Sequence, residues 1–91
     1  MLTLTPKACL RLIEKLDGYP GKVAVRIVPN GEGIKLRAAV RQPGDEAFDH
    51  DGRTVLLLDE AMSHRLKAKT LDVHATERGP RLRFRRLPMG G

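Results

Sequence analysis

Hydrophobic and polar positions recur with two different periods along the chain, and each period predicts one type of secondary structure. Thr5 followed by Pro6 predicts a helix start, with threonine as the cap and proline at the first helical position. Five apolar residues then follow helical spacing: Ala8, Cys9, Leu12, Ile13 and Leu16. Gly18 is a typical helix stop. The pattern predicts a helix over about residues 6–16.

Strict alternation replaces the helical period in the next segments. Residues 22–28 and 34–41 each put aliphatic side chains on one face, as half-buried strands do. The polar, turn-rich segment 42–53 is predicted to be a loop, and residues 54–59 a more buried strand. Asp59 can cap a second helix, with Ala61, Met62, Leu66 and Ala68 facing inward.

Two further alternating segments, 70–75 and 81–87, flank a turn at 77–80. The predicted order is α-β-β-β-α-β-β, which is an α+β fold: one compact, β-rich domain over residues 1–91 with a flexible tail at 88–91. Ninety-one residues suffice for one modest core.

Composition narrows the class of protein. Cys9 is the single cysteine, so one chain can form neither a disulfide nor an all-cysteine metal site. We find no signal-peptide pattern and no apolar run near the roughly 18 residues of a membrane span, so we expect a cytoplasmic protein that does not bind membranes. The net charge of +6 favours anionic partners without defining a site.

The segment "NGEG", residues 30–33, could be a phosphate cradle, a hairpin turn or a metal-binding loop that has lost its ligand. A cradle is excluded because Leu36 stands where the third glycine of the dinucleotide fingerprint belongs, and because a strand pattern follows instead of a helix. Asn30 and the glycines tolerate positive φ, which favours a hairpin turn.

Other candidate chemistry is weak. His50 lies between Asp49 and Asp51 and could hold a metal ion loosely, whereas His64 and His74 are predicted on the surface; solvated histidines are the favoured interpretation. Cys9 is predicted to pack in the core. No catalytic constellation is present, so we expect a protein that is not an enzyme.

Basic residues occupy the polar faces of the predicted strands. If these strands share a sheet, the residues could form a cationic surface for a protein partner or a nucleic-acid backbone: Arg26, Lys35, Arg37, Arg41, Arg81, Arg83 and Arg85. No aromatic residue interleaves with them, so an ordinary solvated face is the favoured interpretation. The Gly90-Gly91 pair is similar to the tail of ubiquitin-like sulfur carriers, but those folds begin with a hairpin rather than a helix.

The chain as a whole, over about residues 2–88, resembles the A-type iron–sulfur carrier family (HesB/IscA-like). Three ordered segments carry the resemblance: "LTLTPKACLRL", "VAVRIVPNGEGIKLRAAV" and "PGDEAFDHDGRTVLLLDEAMSHRL" with a later "LDV". The "LRFRRLP" segment is similar to the family's last strand. The resemblance implies a HesB-like fold, an iron–sulfur cluster and docking to assembly or apo-target proteins.

The departures concern the cluster ligands. Family carriers place one cysteine in a Gly-Cys-Ser-Gly loop, which falls on Asn30, Gly31, Glu32 and Gly33 here, and Gly31 stands at the cysteine. Their Cys-Gly-Cys tail falls on Met89-Gly90-Gly91, and Cys9 matches no ligand position. We therefore expect an emptied ligand loop, no bound cluster, and a non-enzymatic protein-interaction module as the main function. Two alternatives stay open: nucleic-acid binding, and a sulfur or metal carrier that uses Cys9 or the Gly-Gly tail.

Overall fold

The structure, a computed structural model, describes residues 2–31 and 33–86. The predicted tail at 88–91 and Glu32 lie outside the described residues. In chain order the elements are β1 (Thr3–Leu4), α1 (Pro6–Lys15), β2 (Val23–Asn30), β3 (Gly33–Val40), β4 (Glu46–His50), β5 (Arg53–Leu58), α2 (Glu60–Leu66), β6 (Lys69–Thr76) and β7 (Gly79–Arg86).

The strands form two sheets. One has the order β3-β2-β5-β4 and the other the order β1-β6-β7. The contacts of β2 with β5 and of β1 with β6 are parallel, and the remaining pairs are antiparallel. The strands β3, β4, β1 and β7 therefore lie at the sheet edges.

Both helices begin as the sequence predicts. The Thr5 hydroxyl accepts a hydrogen bond from the Ala8 N–H at 3.2 Å, and an Asp59 oxygen accepts one from the Met62 N–H at 2.8 Å. Each bond satisfies one of the amide donors that a helix start leaves without a partner.

The core is aliphatic and joins both sheets. Ala8, Leu12 and Leu16 from the apolar stripe of α1 lie in one buried cluster with Val55, Leu56 and Leu58 of β5 and with Leu71 of β6. These residues expose at most 1% of their surface. Burial of this apolar surface is the main contribution to the stability of a domain of this size.

The α+β class is confirmed, but the sequence analysis missed two strands. β1 pairs with β6 at Thr3–Thr70 and Leu4–Leu71. β4 occupies the predicted loop at 42–53, because Glu46–His50 pairs with β5 across a two-residue turn. The predicted inward face of α2 is confirmed for Met62 and Leu66, which are buried. It is wrong for Ala61 and for Ala68, which lies beyond the end of α2, because both are exposed.

Candidate functional site

The hairpin between β2 and β3 is the first candidate site. Asn30 pairs with Gly33, so the chain reverses direction between these two residues, at Gly31. Gly31 has φ +62°, a left-handed conformation that glycine adopts without strain. A β-carbon at Gly31 would meet no atom within 4 Å, so the position is open on its side-chain side. The predicted hairpin turn is confirmed.

Cys9 is buried in α1, as its place on the apolar stripe predicts. It exposes 8% of its surface and borders a cleft of about 400 Å³ that Phe48 and His50 also line. Burial raises the pKa of the Cys9 thiol, because the thiolate loses its hydration. The thiolate is the form that binds metals and attacks electrophiles, so this environment disfavours both reactions of Cys9.

The acidic loop residues and the histidines do not converge. The His50 Nε2 atom lies 3.6 Å from the Asp51 carboxylate, while Asp49 accepts a hydrogen bond from the Thr54 hydroxyl at 2.6 Å. His64 and His74 are exposed, as predicted. Over 2–31 and 33–86 the structure contains no group of three or more His, Cys, Asp or Glu side chains placed to hold a metal ion.

The predicted basic surface is divided between the two sheets. Arg26, Lys35 and Arg37 belong to strands β2 and β3, whereas Arg81, Arg83 and Arg85 belong to β7 of the other sheet. The condition that these strands share one sheet is therefore wrong. Binding of a partner by either group stays a prediction.

Arg26 is paired within the fold and is not available to a partner. Its guanidinium binds the Asp45 carboxylate with both terminal nitrogens, one bond measuring 2.9 Å. The two side chains expose only 13% and 3% of their surface. The hydrogen bond from Arg26 holds the pKa of Asp45 below its usual range, and the same bond raises the pKa of Arg26. The Gln42 N–H also donates to Asp45 at 2.7 Å, so the pair ties the segment after β3 to β2.

The arginines of β7 share one face with residues of β6. Arg83 lies opposite Asp72 and Arg81 opposite His74 in the ladder. Arg85 forms an ion pair with Asp72 at 2.9 Å, diagonally across the two strands. Arg81, Arg83 and Arg85 are all exposed, and among these three only Arg85 pairs with an acid of the described residues.

Two solved structures share this architecture. The crystal structure of Escherichia coli SufA, a protein involved in biosynthesis of iron–sulfur clusters, matches with a TM-score of 0.76 and 26% sequence identity, over 93% of this chain and 84% of SufA. The crystal structure of IscA with its [2Fe-2S] cluster matches with a TM-score of 0.61 and 19% identity, over 94% of this chain and 85% of IscA. No family model matches the chain, and no curated protein matches it significantly.

The two-sheet α+β architecture thus defines a small domain of the type found in A-type iron–sulfur carriers. This chain is HesB/IscA-like, and the family resemblance of the sequence is confirmed. Among the described helices, none is long and apolar enough to span a membrane.

Proposed function

We propose that this protein is a non-enzymatic HesB/IscA-like domain that works through protein interaction and holds no iron–sulfur cluster of its own. The observation that carries the proposal is Gly31. It forms the β2–β3 turn at the position where the resemblance to A-type carriers puts a cysteine. Iron–sulfur clusters need thiolate ligands, and a glycine supplies none.

Cys9 does not replace the missing ligand in this proposal. It lies in α1 rather than in the turn, it is 8% exposed, and its pKa is raised by burial. Thiolate formation and a second thiol from another chain would both be needed before Cys9 could bridge a cluster. The residues of the described hairpin and helix thus do not fit a cluster bound in the manner of the carriers.

Anaerobic reconstitution with iron and sulfide tests the proposal. We expect bound iron and sulfide near zero and no visible absorbance, in the native chain and in Cys9→Ser alike. E. coli SufA, reconstituted in parallel, is the positive control for the procedure. Stable colour that disappears in Cys9→Ser would contradict the proposal and establish a cluster held between chains.

The interaction itself is tested with purified iron–sulfur assembly proteins and apo-target proteins as partners. We expect complex formation that is lost when one of the two basic groups is reversed in charge. Lys35→Glu with Arg37→Glu tests the sheet that contains β3, and Arg81→Glu with Arg83→Glu tests β7. These four side chains are exposed, so the fold should tolerate the changes. Complexes unaffected by either pair would contradict docking through the basic residues. A cytoplasmic location remains a prediction.

Nucleic-acid binding is a second candidate function, which the alternation of Arg81, Arg83 and Arg85 on one face of β7 favours. Contacts with phosphates release counterions, so the affinity should fall steeply with salt and should drop when the three arginines become alanine. Absence of binding to an oligonucleotide at low salt would exclude this candidate.

A further inference from the structure

A cationic cleft lies between α1, β3 and the turn that joins β6 to β7. Its volume is about 340 Å³. Arg11 and Lys15 of α1 line one side, and Arg78 and Arg81 of the β6–β7 hairpin line the other. Four basic side chains from two elements far apart in sequence therefore meet around one space.

Most of this positive charge is not neutralised within the protein. Arg11 forms an ion pair with Glu14 at 2.9 Å. No ion pair joins Lys15, Arg78 or Arg81 to any acid in the part of the chain that the structure describes. The three cations without an acid partner favour an oxyanion as the ligand, because hydrogen bonds between charged donors and a phosphate are strong.

The hairpin side of the cleft is held in place by its own turn. The Thr76 hydroxyl donates to the Gly79 carbonyl at 2.7 Å and accepts from the Arg78 N–H at 3.2 Å. Gly79 has φ +104°, which glycine permits and other residues resist. The backbone that carries Arg78 is thus ordered before any ligand arrives, which reduces the entropy that binding must overcome.

An apolar cleft of about 190 Å³ adjoins the cationic one. The two share Lys15 and Leu36 as lining residues. Tyr19, Val25 and Ala38 line the rest of the second cleft, together with Arg37 at its border. Tyr19 is 50% exposed, so its ring is accessible to a ligand in this cleft. The double cleft thus has a charged half and a mainly apolar half with an accessible ring. Small-molecule sites have a similar lining, in which a few polar groups orient a mainly apolar ligand.

We propose that this double cleft binds a phosphate ester with a planar organic body, the chemical class to which nucleoside monophosphates belong. The phosphate would lie among Arg11, Lys15, Arg78 and Arg81, because guanidinium groups match phosphate oxygens with paired N–H donors. The planar group would lie against Tyr19. The proposal does not depend on the absence of a cluster or on protein docking, so it goes beyond the function proposed above.

Calorimetric or NMR titration of the whole chain at low ionic strength tests the site with four probes: adenosine monophosphate, ribose 5-phosphate, inorganic phosphate and adenosine. We expect adenosine monophosphate to bind most tightly, since it fills both halves. Ribose 5-phosphate and inorganic phosphate fill only the cationic half, and adenosine fills only the apolar half. Stacking on an aromatic ring should make the nucleotide bind about fivefold or more tightly than ribose 5-phosphate.

Single substitutions assign the two halves. Arg81→Ala, and Lys15→Ala from the other side of the cleft, should each weaken all phosphate probes by on the order of tenfold, the effect of losing a charge-assisted hydrogen bond. Arg83→Ala is the matched control: it removes one exposed arginine from the same face of β7 but does not line the cleft, and we expect less than a twofold effect. Tyr19→Ala should weaken adenosine monophosphate and leave ribose 5-phosphate unchanged.

Three results would overturn the proposal. The first is no binding of adenosine monophosphate at millimolar concentration by the native chain, with its fold verified by circular dichroism. The second is equal losses in Arg81→Ala and Arg83→Ala, which would indicate diffuse charge attraction instead of a site. The third is preference for an oligonucleotide or an acidic peptide, with a salt dependence much steeper than one dianion can produce.

Discussion

Thr5 donates its hydroxyl hydrogen to Asp72 at 2.8 Å, a hydrogen bond between residues that are 67 positions apart. The same hydroxyl oxygen accepts the Ala8 N–H that opens α1, and the Thr5 N–H donates to the Leu71 carbonyl at 3.1 Å. One residue therefore fixes the start of α1 and holds it against β6. The hydrogen bond from Thr5 is also the leading reason that the pKa of Asp72 lies below its usual range, with the Val73 N–H next.

Replacing Thr5 should destabilise the domain through this double role. Thr5→Ala removes both the helix cap and the bond to Asp72, and we expect a loss of about 1–2 kcal/mol in the free energy of unfolding. Thr5→Ser keeps a hydroxyl and should lose no more than a few tenths. Urea unfolding followed by circular dichroism measures both, and an alanine variant as stable as the serine variant would contradict the assignment.

Acid should weaken the fold through Asp45 and Asp72. The pKa of each carboxyl is lower in the folded than in the unfolded chain, so protonation favours the unfolded state. Their contribution is complete above the unfolded pKa of about 4 and is lost as the pH falls below it toward the folded pKa values. Unfolding free energies between pH 6 and pH 2 should decline less steeply in Asp72→Asn than in the native chain. Identical slopes would show that Asp72 does not contribute.

Replacing Asp45 should lower the free energy of unfolding more than replacing an exposed acidic residue does. Asp45→Ala leaves the guanidinium of Arg26, 13% exposed, with the Val40 carbonyl but without its carboxylate, and losing such a charge-assisted bond costs about 1.5–3 kcal/mol. Asp17→Ala is the control, because Asp17 is exposed and joins no ion pair with any described residue. Thermal unfolding of the two variants measures the difference, and a gap below about 1 kcal/mol would mean that solvent reaches Arg26 readily.

The turn at Gly31 allows a matched pair of glycine substitutions. Neither Gly31 nor Gly21 has an atom within 4 Å of an added β-carbon, but only Gly31 has a left-handed φ. Gly31→Ala should therefore cost about 1–2 kcal/mol through backbone strain alone. Gly21→Ala should be neutral or stabilising, because alanine restricts the unfolded chain. Equal effects in chemical denaturation would indicate that the turn relaxes around the new residue.

Cys9 should react slowly with iodoacetamide in the folded protein. The thiol is 8% exposed and its pKa is raised, so both access and thiolate content are reduced. Mass spectrometry of the alkylated product should show a rate that increases strongly when urea unfolds the chain. Equal rates in the two states would reveal an accessible thiol, and a cluster bridged by Cys9 would again become reasonable.

Local signals predicted most of the fold. Features set by neighbouring residues can be identified from the sequence. They are the Thr5 and Asp59 caps, the apolar stripe of α1, and the alternation of β2, β3, β6 and β7. β1 consists of two residues that are extended because β6 lies beside them, which no local pattern shows. β4 had a signal that was overlooked: Asp51-Gly52, both with positive φ, forms the two-residue turn typical of hairpins.

The candidate sites were harder to predict because they depend on distant residues. Arg26 and Arg37 both occupy polar positions of the alternating pattern. Only the fold shows that Asp45 pairs with Arg26 and that Arg37 is exposed. The double cleft joins side chains of α1, β3 and the β6–β7 turn, three segments that the sequence separates widely. The β2–β3 turn could be predicted from the sequence because its residues are consecutive.

Because β3 and β7 lie at sheet edges, their basic residues help to keep the protein soluble. An edge strand offers unpaired backbone groups to any other strand, and charged side chains along it keep a second copy away. Lys35 and Arg37 lie on one edge strand, and Arg81 and Arg83 lie on the other. Neutralising these four residues removes the repulsion that keeps another chain from pairing with the two edges, so aggregation must be monitored by light scattering whenever they are replaced.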